Sequence, residues 1–166
     1  SRIKGITPMH HSTKRHLSYA NGYRELGMLD DAHDEIEKVD WDDRFLKPVL
    51  IVRLAVYTDA KKWDLAAAVA RRLAADFQQE SEWFIQWAYA VRRSDSLADA
   101  REVLLDALKR FPKEPCIHYN LGCYACVEGD IEEARGRVGA AIKLDRNYQK
   151  LAVEDEDLKA LWDSQD

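Results

Sequence analysis

The chain has 166 residues, 46% apolar and 33% charged, with a formal net charge of −5. These values fit one domain or one compact array and exclude a disordered or fibrous chain. No apolar run approaches the roughly 18 residues a membrane-spanning helix needs, and the negative balance disfavours a general nucleic-acid surface, which must be cationic to hold phosphates.

Glycine and proline together number 11, against 21 alanines. Alanine is the best helix former and glycine and proline the worst, so the balance points to helices rather than turn-rich strands. The first segment, residues 1–12, reads as a leader. It has no apolar core of signal-peptide length, and a cytoplasmic location is the simplest reading. His10, His11 and His16 lie close together without a cysteine or carboxylate at ligand spacing, so they read as surface residues.

From residue 13 onward the chain repeats. Ala32, Ala66, Ala100 and Ala134 are spaced 34 residues apart without an insertion. Three residues before each stands an apolar side chain, at Leu29, Trp63, Leu97 and Ile131. Two further columns follow, at Ile36, Ala70, Leu104 and Val138, and at Val39, Leu73, Ala107 and Ala141. The copies are 13–46, 47–80, 81–114 and 115–148, and each carries the marks of two helices.

In the first copy Gly27 and Asp30 punctuate the pair, as stop and cap. In the second, Pro48 opens the leading helix, where a missing N–H costs nothing, and Asp64 is the expected cap of the next. In the third, Ser96 caps and Pro112 stops the chain. The fourth opens at Pro115 and runs to Gly129. Asp130 and Glu133 then form a capping-box pattern. A small alanine in a fixed column lets two helices approach closely. Residues 149–166 close the array, with Leu158, Leu161 and Trp162 at helical spacing behind an acidic Glu154–Asp157 turn. They read as a capping helix, with Trp162 packed in the core.

This register resembles the tetratricopeptide repeat. Copy four carries the resemblance most fully, through Leu121, Gly122, Tyr124, Ala134 and Ala141. Copy three adds Trp87, Ala88, Ala100, Ala107 and Pro112. Tyr124 falls one residue before the usual tyrosine column, and Arg146 stands where a proline is usual. The tail is similar to those that close small bacterial arrays of this family. The resemblance implies an all-α, right-handed α-solenoid of four antiparallel helix hairpins with a C-terminal capping helix. It also implies a concave groove lined by the leading (A) helices, which binds a protein or peptide and does no chemistry.

Transferred column by column, the groove residues are Lys14, Leu17, Asn21 and Arg24 in copy one, then Ile51, Val52, Ala55 and Thr58 in copy two. Copy three contributes Ile85, Gln86, Tyr89 and Arg92, and copy four Tyr119, Asn120 and Cys123. The rings would supply contact area, and the amides paired donors and acceptors for a peptide backbone. The cationic clamp with which some family members hold chaperone tails is missing. Its columns hold Leu17, Asn21, Val52, Glu82 and Gln86, and Glu82 repels a carboxylate.

The three cysteines, Cys116, Cys123 and Cys126, fall within eleven residues and do not form a disulfide framework. Cys123 and Cys126 make a C-x-x-C inside a helix, not at the helix N-terminus where a dipole would favour a thiolate. Cys116 and Cys123 stand roughly 10 Å apart along the axis, too far for one zinc tetrahedron. Packing is their first reading, and Cys116 is the candidate reactive thiol. No phosphate loop, H-E-x-x-H or G-x-S-x-G occurs.

The expected protein is a cytoplasmic, non-enzymatic adaptor without cofactor or metal, with no nucleic-acid or membrane partner, either monomeric or weakly self-associating. A dedicated secretion chaperone and a thiol or zinc site on Cys116, Cys123 and Cys126 are the alternatives.

Overall fold

The computed structural model of the chain describes residues 8–163. Ten α-helices account for its order, with no strand among the described residues. The A helices are α1 (His11–Glu25), α3 (Lys47–Asp59), α5 (Ser81–Ser94) and α7 (Pro115–Glu128). Their B partners are α2 (Leu29–Glu37), α4 (Trp63–Asp76), α6 (Leu97–Arg110) and α8 (Ile131–Leu144), which begin at 34-residue intervals. The chain is an all-α solenoid. Of the expected leader, residues 1–7 lie outside the described residues, and His11 and Ser12 already belong to α1.

The alanine column explains the close pairing within each hairpin. Ala32, Ala66, Ala100 and Ala134 are all fully buried, as are Ile36, Ala70, Leu104, Leu73, Ala107 and Ala141. A methyl group keeps two helix backbones close, and inserting extra methylenes there costs about 1–3 kcal/mol. Gly122 takes this further. A Cβ built on it would stand 2.7 Å from Val138 Cγ2 and 3.1 Å from the Val138 backbone nitrogen, so α7 and α8 touch nearly backbone to backbone. The buried side chains form two clusters. One joins Leu17 and Ala20 of α1 to Ala32 and Ile36 of α2 and to Val49, Val52 and Val56 of α3. The larger begins on another face of α3, at Leu50, Leu54 and Tyr57, and runs to Leu161.

Ser96 and Asp130 cap α6 and α8 through the backbone N–H groups of Asp99 and Glu133, each at 3.0 Å. The capping box at α8 is only half made. The Glu133 carboxylate turns instead to Arg101, at 2.6 and 2.8 Å, and the Asp130 N–H donates to the Ala125 carbonyl. Asp30 and Asp64 are not caps. They sit inside the first turns of α2 and α4, where their charge meets the positive end of the helix dipole, and Met28 and Lys62 occupy the cap positions. Gly27 and Gly129 end α1 and α7 with φ of +73° and +89°, a conformation that costs glycine nothing.

The tail differs from the single helix expected. It forms α9 (Asn147–Glu154), a 3₁₀ turn (Glu156–Leu158) and α10 (Lys159–Asp163), with the break at Asp155. Asp155 caps the turn by accepting from the Asp157 N–H at 3.0 Å. Leu158 and Leu161 are buried as expected. Trp162 is 38% exposed, and its indole N–H donates to the Ala152 carbonyl at 3.0 Å, so it fastens α10 to α9 from the surface.

Candidate functional site

The A helices line two neighbouring recesses. The first, about 230 Å³, lies between α3 and α5. It is walled by Ile51, Leu54, Ala55, Thr58 and Asp59 on one side and Glu82, Trp83 and Gln86 on the other. Four of the sequence-derived groove residues therefore meet here: Ile51, Ala55, Thr58 and Gln86. The spacing of 51, 55 and 58 along α3 keeps these side chains on one helical face. Arg24 and Asn21 reach the recess indirectly. Arg24 donates to Asn21 Oδ1 at 2.9 Å and to Asp59 Oδ2 at 2.6 Å, tying α1 to α3. Asp59 is thereby neutralised, whereas Glu82 has no ion-pair partner among the described residues. The floor is apolar and its rim carries one unmatched negative charge.

The second recess, about 180 Å³, lies between α5 and α7 and gathers Tyr89, Arg92, Arg93, Tyr119, Asn120, Cys123 and Tyr124. It also contains Asp155 and Asp157 from the tail. Arg92 makes a two-pronged pair with Asp157, at 2.7 and 3.1 Å. The Tyr119 hydroxyl donates to Asp155 Oδ2 at 2.7 Å, and the Cys123 thiol approaches the same oxygen at 3.7 Å. The carboxyl end of the groove thus holds carboxylates of its own chain.

This corrects the expected positions of several residues. Tyr119 and Cys123 are buried beneath the tail and are not open groove surface. Leu17 and Val52 belong to the N-terminal core cluster, and Ile85 packs partly buried against the larger one. Lys14 is exposed on α1 and lines neither recess. Tyr89 remains open at 45% exposure, its ring stacked on the Arg93 guanidinium 3.4 Å away and set edge-on to Trp63. Such stacking holds a large aromatic face ready without further ordering cost. Asp59, Trp83, Arg93, Asp155 and Asp157 were not anticipated. The Glu154–Asp157 run was the available signal for the last two, but it read as a helix-capping turn.

Burial raises the titration of this end of the molecule. It pushes the Cys123 thiol strongly upward, reinforced by the charges of Asp155 and Asp157, and Tyr119 rises by burial and its bond to Asp155. Burial also pushes Tyr124 up to about 12 despite the nearby Arg92. Cys116 and Cys126 rise for the same first reason. A neutral thiol is a poor nucleophile, so this burial works against the activation that the place of Cys116 near a helix N-terminus led one to expect. The cysteines do not converge as metal ligands either. Among the described residues, the one group with ligand atoms all within 4.8 Å is Cys123, Asp155 and Asp157, without Cys116 or Cys126. Its carboxylates already face Arg92 and Tyr119.

No family model and no curated protein matches the sequence. Solved structures do. The crystal structure of MamA protein overlays with a TM-score of 0.71 at 20% identity, covering 93% of this chain and 86% of that one. A thermophilic TPR (tetratricopeptide repeat) protein of Thermus thermophilus overlays at 0.63 and 16% identity, covering 90% and 86%. The chain has the tetratricopeptide-repeat fold. MamA 41-end from Desulfovibrio magneticus RS-1 gives a TM-score of 0.67 at 19% identity, over 81% of this chain and 76% of that one. At such identities the likeness carries the TPR fold and leaves function to the site.

Proposed function

We propose that the chain is a non-enzymatic, cytoplasmic interaction scaffold that binds a peptide or helix of a partner protein along its A helices, with the α3–α5 recess as the open section. One observation carries this reading: apolar Ile51, Leu54, Ala55 and Trp83 line a recess whose Glu82 carboxylate lacks a counter-ion among the described residues. A partner segment that sets an apolar side chain between α3 and α5 and a lysine or arginine beside Glu82 complements both features. Thr58 and Gln86 supply groups for the partner's backbone. Tyr89, Arg92 and Asn120 continue the surface toward the tail.

The test is co-purification from the native cell with mass spectrometry, repeated with Ile51→Asp, Glu82→Gln and Tyr89→Ala variants of unchanged helicity. Loss of the same partner from the Ile51 and Tyr89 variants, and weaker, less salt-sensitive retention by Glu82→Gln, is the expected result. A partner retained in full by all three variants overturns the groove reading.

A further inference from the structure

The first hairpin breaks the pattern of the others. α4, α6 and α8 each have 14 residues, but α2 has only nine and gives way to the Trp41–Asp43 3₁₀ turn. Beyond this turn a cavity of about 320 Å³ opens, lined by Arg44, Phe45, Leu50, Arg53, Ala68, Val69 and Arg72. It shares no residue with either groove recess.

Its chemistry is distinct. Three guanidinium groups stand over an apolar floor of Leu50, Ala68 and Val69. Arg53 pairs with Glu37 and also donates to the Tyr57 hydroxyl, while Arg44 approaches the other Glu37 oxygen at 3.8 Å. Arg72 donates to Asp76 at 2.6 Å and lies 4.6 Å over the Phe45 ring. Glu37 and Asp76 are the ion-pair partners of the three arginines among the described residues, so 3 − 2 leaves one positive charge uncompensated. The Arg44 Nε is buried without a hydrogen-bond partner, which is costly for a donor of a charged group. Phe45, 57% exposed, lines the cavity, and Trp41, 72% exposed, stacks against the Arg44 guanidinium at 4.9 Å.

We propose that this cavity is a second binding site, which takes a carboxylate flanked by an apolar side chain on a segment of a partner protein. One carboxylate cancels the single excess charge and shares the half-exposed Arg72 guanidinium with Asp76. A dianionic phosphate would exceed that charge. The flanking side chain covers Leu50 and Val69 and meets Phe45, and guanidinium forks suit a planar carboxylate. The volume holds one or two side chains and not a folded element.

The probe is acetyl-Leu-Asp-Leu-amide, titrated into the full chain while the Nε–Hε resonances of its arginines are followed by NMR. Saturable shifts at Arg44, Arg53 and Arg72 are expected, unchanged in Ile51→Asp, so that this site and the groove are tested separately. Arg72 is half exposed, so Arg72→Gln should leave helicity intact while weakening binding about tenfold, the loss of one charge-assisted contact. The asparagine analogue of the peptide should give no saturable shift. Equal binding of that analogue, a response confined to groove residues, an Arg72→Gln variant that binds as tightly as the parent, or tighter occupancy by inorganic phosphate would each overturn the assignment.

Discussion

Replacing Gly122 with alanine tests the closest contact in the array. In an unencumbered helix the change stabilises by about 1 kcal/mol, because alanine has the better helix propensity. At Gly122 the new methyl meets Val138 Cγ2 at 2.7 Å, the Val138 nitrogen at 3.1 Å and Arg137 Cβ at 3.2 Å. Val138 can turn away by changing rotamer, but a backbone nitrogen cannot, so α8 itself must move. Overpacking of that kind costs about 1–3 kcal/mol, and an immovable neighbour places it at the upper end. Net destabilisation is then about 2 kcal/mol, or roughly 4–8 °C in melting temperature for a chain of this size. Gly136 and Gly139 are internal controls, because a Cβ on either meets nothing within 4 Å. Gly136→Ala and Gly139→Ala should each stabilise by up to about 1 kcal/mol. Urea unfolding followed by circular dichroism measures all three. Adding Val138→Ala to Gly122→Ala should recover part of the loss, giving a non-additive cycle. A Gly122→Ala protein at least as stable as the parent, or a strictly additive double variant, would refute the close contact between α7 and α8.

Two further outcomes follow from the ion pairs. Arg92→Ala should lower stability by about 1–2 kcal/mol, because it strands Asp157 part-buried without its partner. A double cycle with Asp157→Ala should show coupling between the two, measured in urea. The pKa of His10 is raised by its 3.0 Å bond to Asp43 and by that carboxylate's charge. Its contribution is therefore complete below the ordinary value of 6.5 and is lost as pH rises through the higher folded value. An NMR titration should place the His10 midpoint above 6.5 in the parent and return it toward 6.5 in Asp43→Asn.

The order of helices was readable because a 34-residue period leaves the same apolar residues at the same steps of each copy. Ala100 and Leu104 are buried for the reason their columns exist. Face assignment was harder. Val52 lies next to Ile51 in sequence, yet one packs against α1 and the other lines the groove, a difference of one helical step that α3 obscures by being apolar on both sides. Asp30 and Asp64 look like caps by type, but the helices begin two residues earlier than that reading requires. The Asp155 and Asp157 carboxylates could not have been placed, because their partners Tyr119 and Arg92 lie 36 and 65 residues away. Only the break between α9 and the 3₁₀ turn brings them there. The shortness of α2 had no sequence signal either, since Val39 preserves the column beyond its end.

In an array whose units touch only their neighbours, each end can fray separately and unfolding proceeds unit by unit. The tail changes that here. By linking Arg92 in the third A helix to Asp157 beyond the fourth hairpin, it closes a loop of 65 residues around the whole fourth copy. The last hairpin then cannot open toward the C-terminus without also releasing α5. The first hairpin shares its core cluster with α3 and is tied to it by Arg24–Asp59, but among the described residues no ion pair links it beyond that neighbour. Unfolding should therefore have a direction: α1 and α2 loosen first, and the two C-terminal copies melt together with the tail as one cooperative block.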